Sequence, residues 1–236
     1  MNWYEREVEV DVHEVDFNGV CRASALMRYI QTAAQCQLTE VGMSYDELKA
    51  RGRAFVLARI KLEFTETVRA YDRLTAISFP CESRAFSFLR CYKLVKDGRT
   101  IGRAVSVWAL LDTENHSLVR VNNFELPLPL LEPLDLSLSF FRLPSEMKEV
   151  GKYAVSYSVV DQNRHMNNTT YPDMYSNFLP LENKRIAEIT INYNKEAPAG
   201  DILTVYRGES DGVYYFRTVR GDGAVNSEAE IRLADI

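Results

Sequence analysis

Cysteine is scarce in this chain and histidine scarcer: four and three residues in 236. Cys21, Cys36, Cys81 and Cys91 show no C-x-x-C spacing, and His13, His116 and His165 do not cluster. Neither a zinc site nor a disulfide scaffold is expected, and the thiols read as reduced, mostly core fillers. No cofactor or metal is called for. Positive charge is not in excess either. Lys and Arg number 28 against 33 Asp and Glu, a formal charge of −5, which argues against general nucleic-acid affinity. No apolar run approaches the ~18–20 residues that span a membrane. The opening Met1-Asn2-Trp3-Tyr4-Glu5-Arg6-Glu7-Val8-Glu9 is acidic and alternating, unlike a signal or transit peptide. The expectation is a cytoplasmic globular protein of one large or two modest domains.

The chain contains an internal repeat, the feature to seek before others. Val15-Asp16-Phe17-Asn18-Gly19-Val20 returns as Val160-Asp161-Gln162-Asn163-Arg164-His165 at an offset of 145. A second block returns at an offset of 129, where Ile60, Leu62, Phe64 and Asp72 map to Ile189, Ile191, Tyr193 and Asp201. The 16-residue difference is one deletion between helix and strand in the second copy. The copies act as internal controls. Val20 stands where the second copy has His165, and Thr67 where it has Glu196. Only the second copy carries both titratable groups, which favours one active and one supporting half.

Each copy reads as a strand, a helix and an antiparallel meander. In the first, Val8, Val10 and Val12 alternate with acids, and a helix with Ser24 as its cap runs to about Val41. Ser44-x-x-Glu47 is a capping box opening a short helix. Strands are expected over 54–66, 73–80, 84–96 and 99–112, the last pair joined by an Asp97-Gly98 hairpin. Residues 122–150 hold four of the eight prolines and read as a linker whose leucines pack along the surface. In the second copy a strand is expected over 153–160, a helix over 168–178 with Tyr171, Met174, Tyr175 and Phe178 on one face, and strands near 186–194, 202–208, 213–220 and 224–233. A twisted sheet around one helix buries both apolar faces, and two such units can pair edge to edge as a fused symmetric dimer.

In the second copy a carboxylate, an amide and an imidazole fall within five residues, just before a helix N-terminus. Helix N-termini present unpaired N–H groups that suit a developing negative charge. The spacing points to a hydrolytic site, or else to a polar loop closed by an Asx turn. Asp161 and Asn163 recur as Asp16 and Asn18, so shaping the turn is one role open to them. Asn167 and Asn168 read as helix caps, and Trp108, Tyr29 and Met27 as core.

Several segments together resemble the acyl-acyl-carrier-protein thioesterases, over nearly the whole length. They are Val15-Asp16-Phe17-Asn18-Gly19, Phe55-Val56-Leu57-Ala58-Arg59-Ile60, Ser106-Val107-Trp108-Ala109-Leu110 and the loop Asp161-x-Asn163-x-His165-x-Asn167. The resemblance is to members without a transit peptide. It implies an α+β tandem double hotdog: two antiparallel sheets, each wrapped around a long helix, pairing into one continuous sheet. Its divisions would be an N-terminal supporting hotdog over 1–121 with the acyl-chain pocket, a linker over 122–150, and a C-terminal hotdog over 151–236 with the catalytic site. It implies Asp161, Asn163, His165 and Glu196 as catalytic residues, no cofactor and no metal. Plant members carry a cysteine after that glutamate; Ala197 stands here, which leaves carboxylate-driven hydrolysis rather than a Cys–His mechanism.

The implied reaction is hydrolysis of fatty acyl-carrier-protein to free acid and carrier, with acyl-CoA hydrolysis and non-enzymatic acyl-chain binding as alternatives. N–H groups opening the 168–178 helix would stabilise the oxyanion. His165 and Glu196 would share acid and base work, and Asp161 would either orient His165 or attack directly. The implied partner is an acylated carrier protein, with a homodimer also possible and no nucleic acid or membrane. Carrier proteins are acidic, and from Arg84 to Arg103 six basic residues (Arg84, Arg90, Lys93, Lys96, Arg99, Arg103) stand against Asp97 alone. That run is either a docking patch or the solvated face of a hairpin.

Overall fold

The computed structural model describes residues 2–236. The first half contains β1 (Tyr4–Glu9), α1 (Ala23–Glu40), α2 (Tyr45–Ala50), β2 (Arg53–Phe64), β3 (Arg73–Pro80), β4 (Phe88–Lys96), β5 (Arg99–Asp112) and the short β6 (Ser117–Val119). The second half contains β7 (Lys148–Ala154), α3 (Tyr171–Ser176), β8 (Lys184–Tyr193), β9 (Ile202–Ser210), β10 (Val213–Val219) and β11 (Val225–Asp235). All the strands form one antiparallel sheet in the order β1-β3-β4-β5-β2-β8-β11-β10-β9-β7, with β6 beside β5. The β4–β5 turn is set by Asp97 and Gly98, both at positive φ (50° and 73°), as a two-residue hairpin requires. Ser44 and Glu47 close the capping box on α2.

The order is palindromic about the β2–β8 pair. Lys61 lies opposite Thr190, its counterpart at the 129 offset, while Ile60 faces Ile191 and Leu62 faces Ile189. A pseudo-twofold axis therefore passes through the Lys61–Thr190 pair. Ile60, Leu62, Ile189 and Ile191 are all fully buried beneath α1. Burial of such side chains stabilises by about 1.5–3 kcal/mol each, so the axis is also a strongly apolar seam.

The duplication extends to individual hydrogen bonds. Val10 N–H donates to Asp72 O and Val155 N–H to Asp201 O, both at 2.9 Å. Cys21 N–H donates to Val68 O and Met166 N–H to Ala197 O, both at 2.8 Å. Asp72 and Asp201 each hold a cation, Lys96 Nζ at 2.7 Å and Arg220 Nε at 2.6 Å.

Three expectations are corrected. The second helix is not long: after a 3-10 turn over Asn168–Thr170, α3 spans six residues against eighteen in α1. Pro180 disfavours helical geometry at Leu179, and the chain reverses there into β8. One long helix therefore serves both halves, and Met27 and Ile30 of α1 share a core with Met174 and Tyr175 of α3. The strand expected at 153–160 is β7, which ends at Ala154. Val155 is buried after the strand, and Tyr157 lies 94% exposed in a 3-10 turn; its counterpart Val12 is also exposed and opens a 3-10 turn in the first copy. The alternation beyond Ala154 comes from that turn. The α1 cap is Arg22, with Ser24 buried inside the first turn.

The linker packs along the sheet, as its leucines imply. Leu131 N–H donates to Pro80 O at 3.0 Å, and Leu136 joins Phe79, Cys81, Cys91 and Val105 in a core separate from the one under α1. Arg59 stacks over Phe140, its guanidinium carbon 3.6 Å from the ring centre. Gly208 of β9 is required where this strap crosses, because a Cβ there would meet Pro144 Cγ at 2.6 Å and Glu146 O at 2.9 Å. Gly208→Ala is expected to lower stability by about 1–3 kcal/mol through overpacking. Urea unfolding checks this; an unchanged midpoint would mean that the strap is not seated on β9.

Candidate active site

Both repeat loops are built alike. Asp16 N–H donates to Val20 O and Asp161 N–H to His165 O, at 2.8 and 2.9 Å. The Asp Oδ1 accepts the N–H two residues on, from Asn18 at 2.9 Å and from Asn163 at 2.8 Å. This is the Asx turn, and the fourth residue, Gly19 or Arg164, sits at positive φ. The aspartate thus shapes the loop in both copies, and Asp161 contacts neither His165 nor Glu196 through its carboxylate.

What differs is the chemistry presented. Met166 N–H to Ala197 O (2.8 Å) and Ala199 N–H to Arg164 O (2.9 Å) tie the second loop to residues 197–199. That tie brings His165 Nδ1 to 3.3 Å from Glu196 Oε2, with the side chains 35% and 59% exposed. Such a solvent-screened pair adds little stability, so its value is geometric. Beneath it, fully buried Asn226 fixes the Glu196 turn. Its Nδ2 donates to Lys195 O at 2.5 Å and to Tyr171 Oη at 3.0 Å, and its backbone carbonyl accepts the N–H of Asn194 and of Lys195. Sequence reasoning missed Asn226, because a buried amide 30 residues from the turn it braces carries no local signature.

Asn163 reaches into the other half. Tyr45 Oη donates to its Oδ1 at 2.5 Å, which turns the amide so that Nδ2 is free to donate outward. Tyr45 was also missed, being 118 residues away on α2. Beside this contact a cavity of about 470 Å³ opens between α1, α2 and the sheet, lined by Ala34, Leu38, Met43, Phe55, Phe88 and Trp108 among others, and by Gln162 of the loop. Trp108 is thus a wall of the cavity as well as core. Met27 is wholly buried, and the Tyr29 hydroxyl is spent on the Glu14 carboxylate.

Two further expectations change. The N–H groups after the loop are largely engaged: Asn167 accepts from Thr169 N–H through its side chain (2.9 Å) and from Thr170 N–H through its carbonyl (3.0 Å). Asn167 is a cap, as expected, but little of an oxyanion site is left at that helix end. The basic run at 84–103 is also neutralised at three of its six positions. Arg90 is buried, and Lys96, Arg99 and Arg103 pair with Asp72, Glu66 and Glu63. Sequence counting missed these acids because they come from neighbouring strands and loops.

Residues 1–125 match the model of the acyl-ACP thioesterase N-terminal domain, and residues 143–234 match that of the C-terminal domain. The chain is 24% identical over 226 residues to an oleoyl-acyl carrier protein thioesterase of Arabidopsis thaliana, a match covering 85% of this chain and 61% of the relative. The chain thus spans about three fifths of that relative's length. The crystal structure of an acyl-ACP thioesterase from Bacteroides thetaiotaomicron superposes with a TM-score of 0.86 at 21% identity, covering 99% of this chain and 98% of that one. The 12:0-ACP thioesterase from Umbellularia californica gives 0.82 at 16% identity, covering 100% and 98%. These likenesses carry the fold.

The two loop asparagines should differ in their effect on stability. Asn18 clamps the halves together: Nδ2 donates to Leu181 O (2.6 Å) and Lys184 O (3.3 Å), and Oδ1 accepts from Asn183 N–H (3.3 Å). Asn18→Ala is expected to cost about 1–3 kcal/mol by loss of these bonds, and Asn163→Ala about 1 kcal/mol or less. Chemical denaturation of both variants checks this; equal losses would contradict it.

Proposed function

Since the chain belongs to the acyl-ACP thioesterase family, we propose that it hydrolyses fatty acyl-carrier-protein thioesters to free acid and carrier. The observation that carries the proposal is the His165–Glu196 pair on a loop whose Asn163 is fixed by Tyr45 beside a chain-sized cavity. We read residues 1–121 and 151–236 as duplicated hotdog units joined by the 122–150 strap, the first supplying the acyl pocket and the second the chemistry. The carrier protein is the substrate partner in this reading.

The steps follow from the atoms. Glu196 holds His165 by Nδ1, leaving Nε2 to take a proton from water as its oxygen attacks the thioester carbonyl. The Asn163 Nδ2 donor stabilises the oxyanion in place of the engaged helix N–H groups. Collapse breaks the C–S bond, and His165 returns the proton to the departing thiolate. Asp161 is a positioning residue in this scheme, holding the loop through Asn163 N–H.

Thiol release should be followed on a panel of acyl-carrier-protein thioesters, with circular dichroism to confirm folding. His165→Ala is expected to lower kcat by about 10²–10⁴-fold, and Tyr45→Phe by about tenfold through a loosened Asn163 amide. No turnover by the unaltered protein at any chain length would sink the thioesterase reading. Turnover surviving His165→Ala would keep the activity and overturn the site. A single turnover in heavy-oxygen water should leave Asp161 unlabelled; label there would make it a nucleophile.

A further inference from the structure

The cavity beside Asn163 has polar as well as apolar walls. Arg90 of β4 lies on the same strand face as Phe88 and Tyr92, lines the cavity and is 7% exposed. Its Nη1 donates to Gln37 Oε1 at 2.6 Å and Ser78 Oγ at 2.7 Å, both neutral groups. Among the described residues no carboxylate pairs with it, and Nε and Nη2 make no hydrogen bond to the protein. Burial alone pushes its pKa down. Across from it on α1, Gln31 also lines the cavity at 8% exposure, and its buried Nε2 has no partner. A cationic donor and an amide donor thus stand on two walls of one cavity with hydrogen-bonding capacity unused. Buried donors left unmet are costly, and an apolar chain laid against them would leave them so.

We propose that this cavity selects acyl chains that carry an acceptor oxygen, such as a hydroxyl or keto group, away from the thioester, with Arg90 and Gln31 as the residues that bind it. The proposal rests on the reading of the cavity as the acyl pocket. Gln31 precedes Leu38 by seven residues, about 10 Å along the helix, on the side away from Tyr45. The oxygen therefore lies within or at the end of the chain, several carbons from the carbonyl held at Asn163. Saturated chains fit by shape but leave both donors unpaired. A site built to hydrogen-bond an oxygen discriminates strongly against the analogue lacking it.

Binding of free acids tests this apart from turnover. Saturated acids and their mid-chain and terminal hydroxy derivatives of matched length are titrated calorimetrically into the whole protein, and hydrolysis of the matching thioesters is measured in parallel. The unaltered protein should bind its best hydroxy acid at least about tenfold more tightly than the saturated acid. Gln31→Leu and Arg90→Met should each reduce that ratio severalfold. If Arg90→Met does not fold, Gln31→Leu decides the question. Smaller or equal preference, binding of neither acid, or a ratio untouched by Gln31→Leu overturns the proposal. Selective binding without hydrolysis of any thioester would instead remove the proposed activity and keep the selectivity.

Discussion

The pairing of β2 with β8 is the constraint on which the rest depends. Its register, with Lys61 opposite Thr190 and the four aliphatic neighbours buried on one face, puts the pseudo-twofold axis inside a continuous sheet. A slip by one residue would turn these side chains out of the core. The same axis sends each repeat loop toward the segment leading into the other half's central strand. Asn18 reaches residues 181–184 before β8, and Asn163 reaches Tyr45 before β2. The candidate site is therefore composite: the loop comes from one half, its orienting hydroxyl and the cavity from the other.

The deletion in the second copy explains why two similar loops have different surroundings. Before β8 the chain is short, turns at Pro180 and presents backbone carbonyls, which Asn18 uses as a clamp. Before β2 it includes the last turns of α1 and all of α2, and these enclose the space beside Asn163. One loop is spent on holding the halves together; the other keeps an amide donor free. Val20, buried at the position of His165, leaves the first loop without an imidazole.

Polar groups placed within the core divide the work further. In the second half Asn226, Tyr171, Thr218 and Ser227 satisfy one another beneath the Glu196 turn and make it rigid. In the first half Arg90, Gln37 and Ser78 form a comparable layer, but the Gln31 amide nitrogen beside it is buried without a partner. A fully satisfied network fixes a backbone, whereas a donor left unpaired in one is costly.

The sequence by itself determined the duplication, the strands, the capping box, the Asp97-Gly98 hairpin and the two residues, His165 and Glu196, that distinguish the copies. These are local or periodic signals: alternation follows from the pleat, turns from positive φ, and repeats can be compared position by position. The same locality misled where Tyr157 continued an alternation past the end of β7, where apolar spacing suggested one helix over 168–178 in place of a 3-10 turn and a six-residue α3, and where a basic run was counted without the acids beside it. Tertiary structure alone decided the remainder. Tyr45 meets Asn163, Asn226 braces Glu196, and Arg90 lies buried without a carboxylate because strands far apart in the chain are neighbours across a folded sheet. Hydrogen bonds between such residues leave no period or spacing in the sequence, since their partners are set by register and packing.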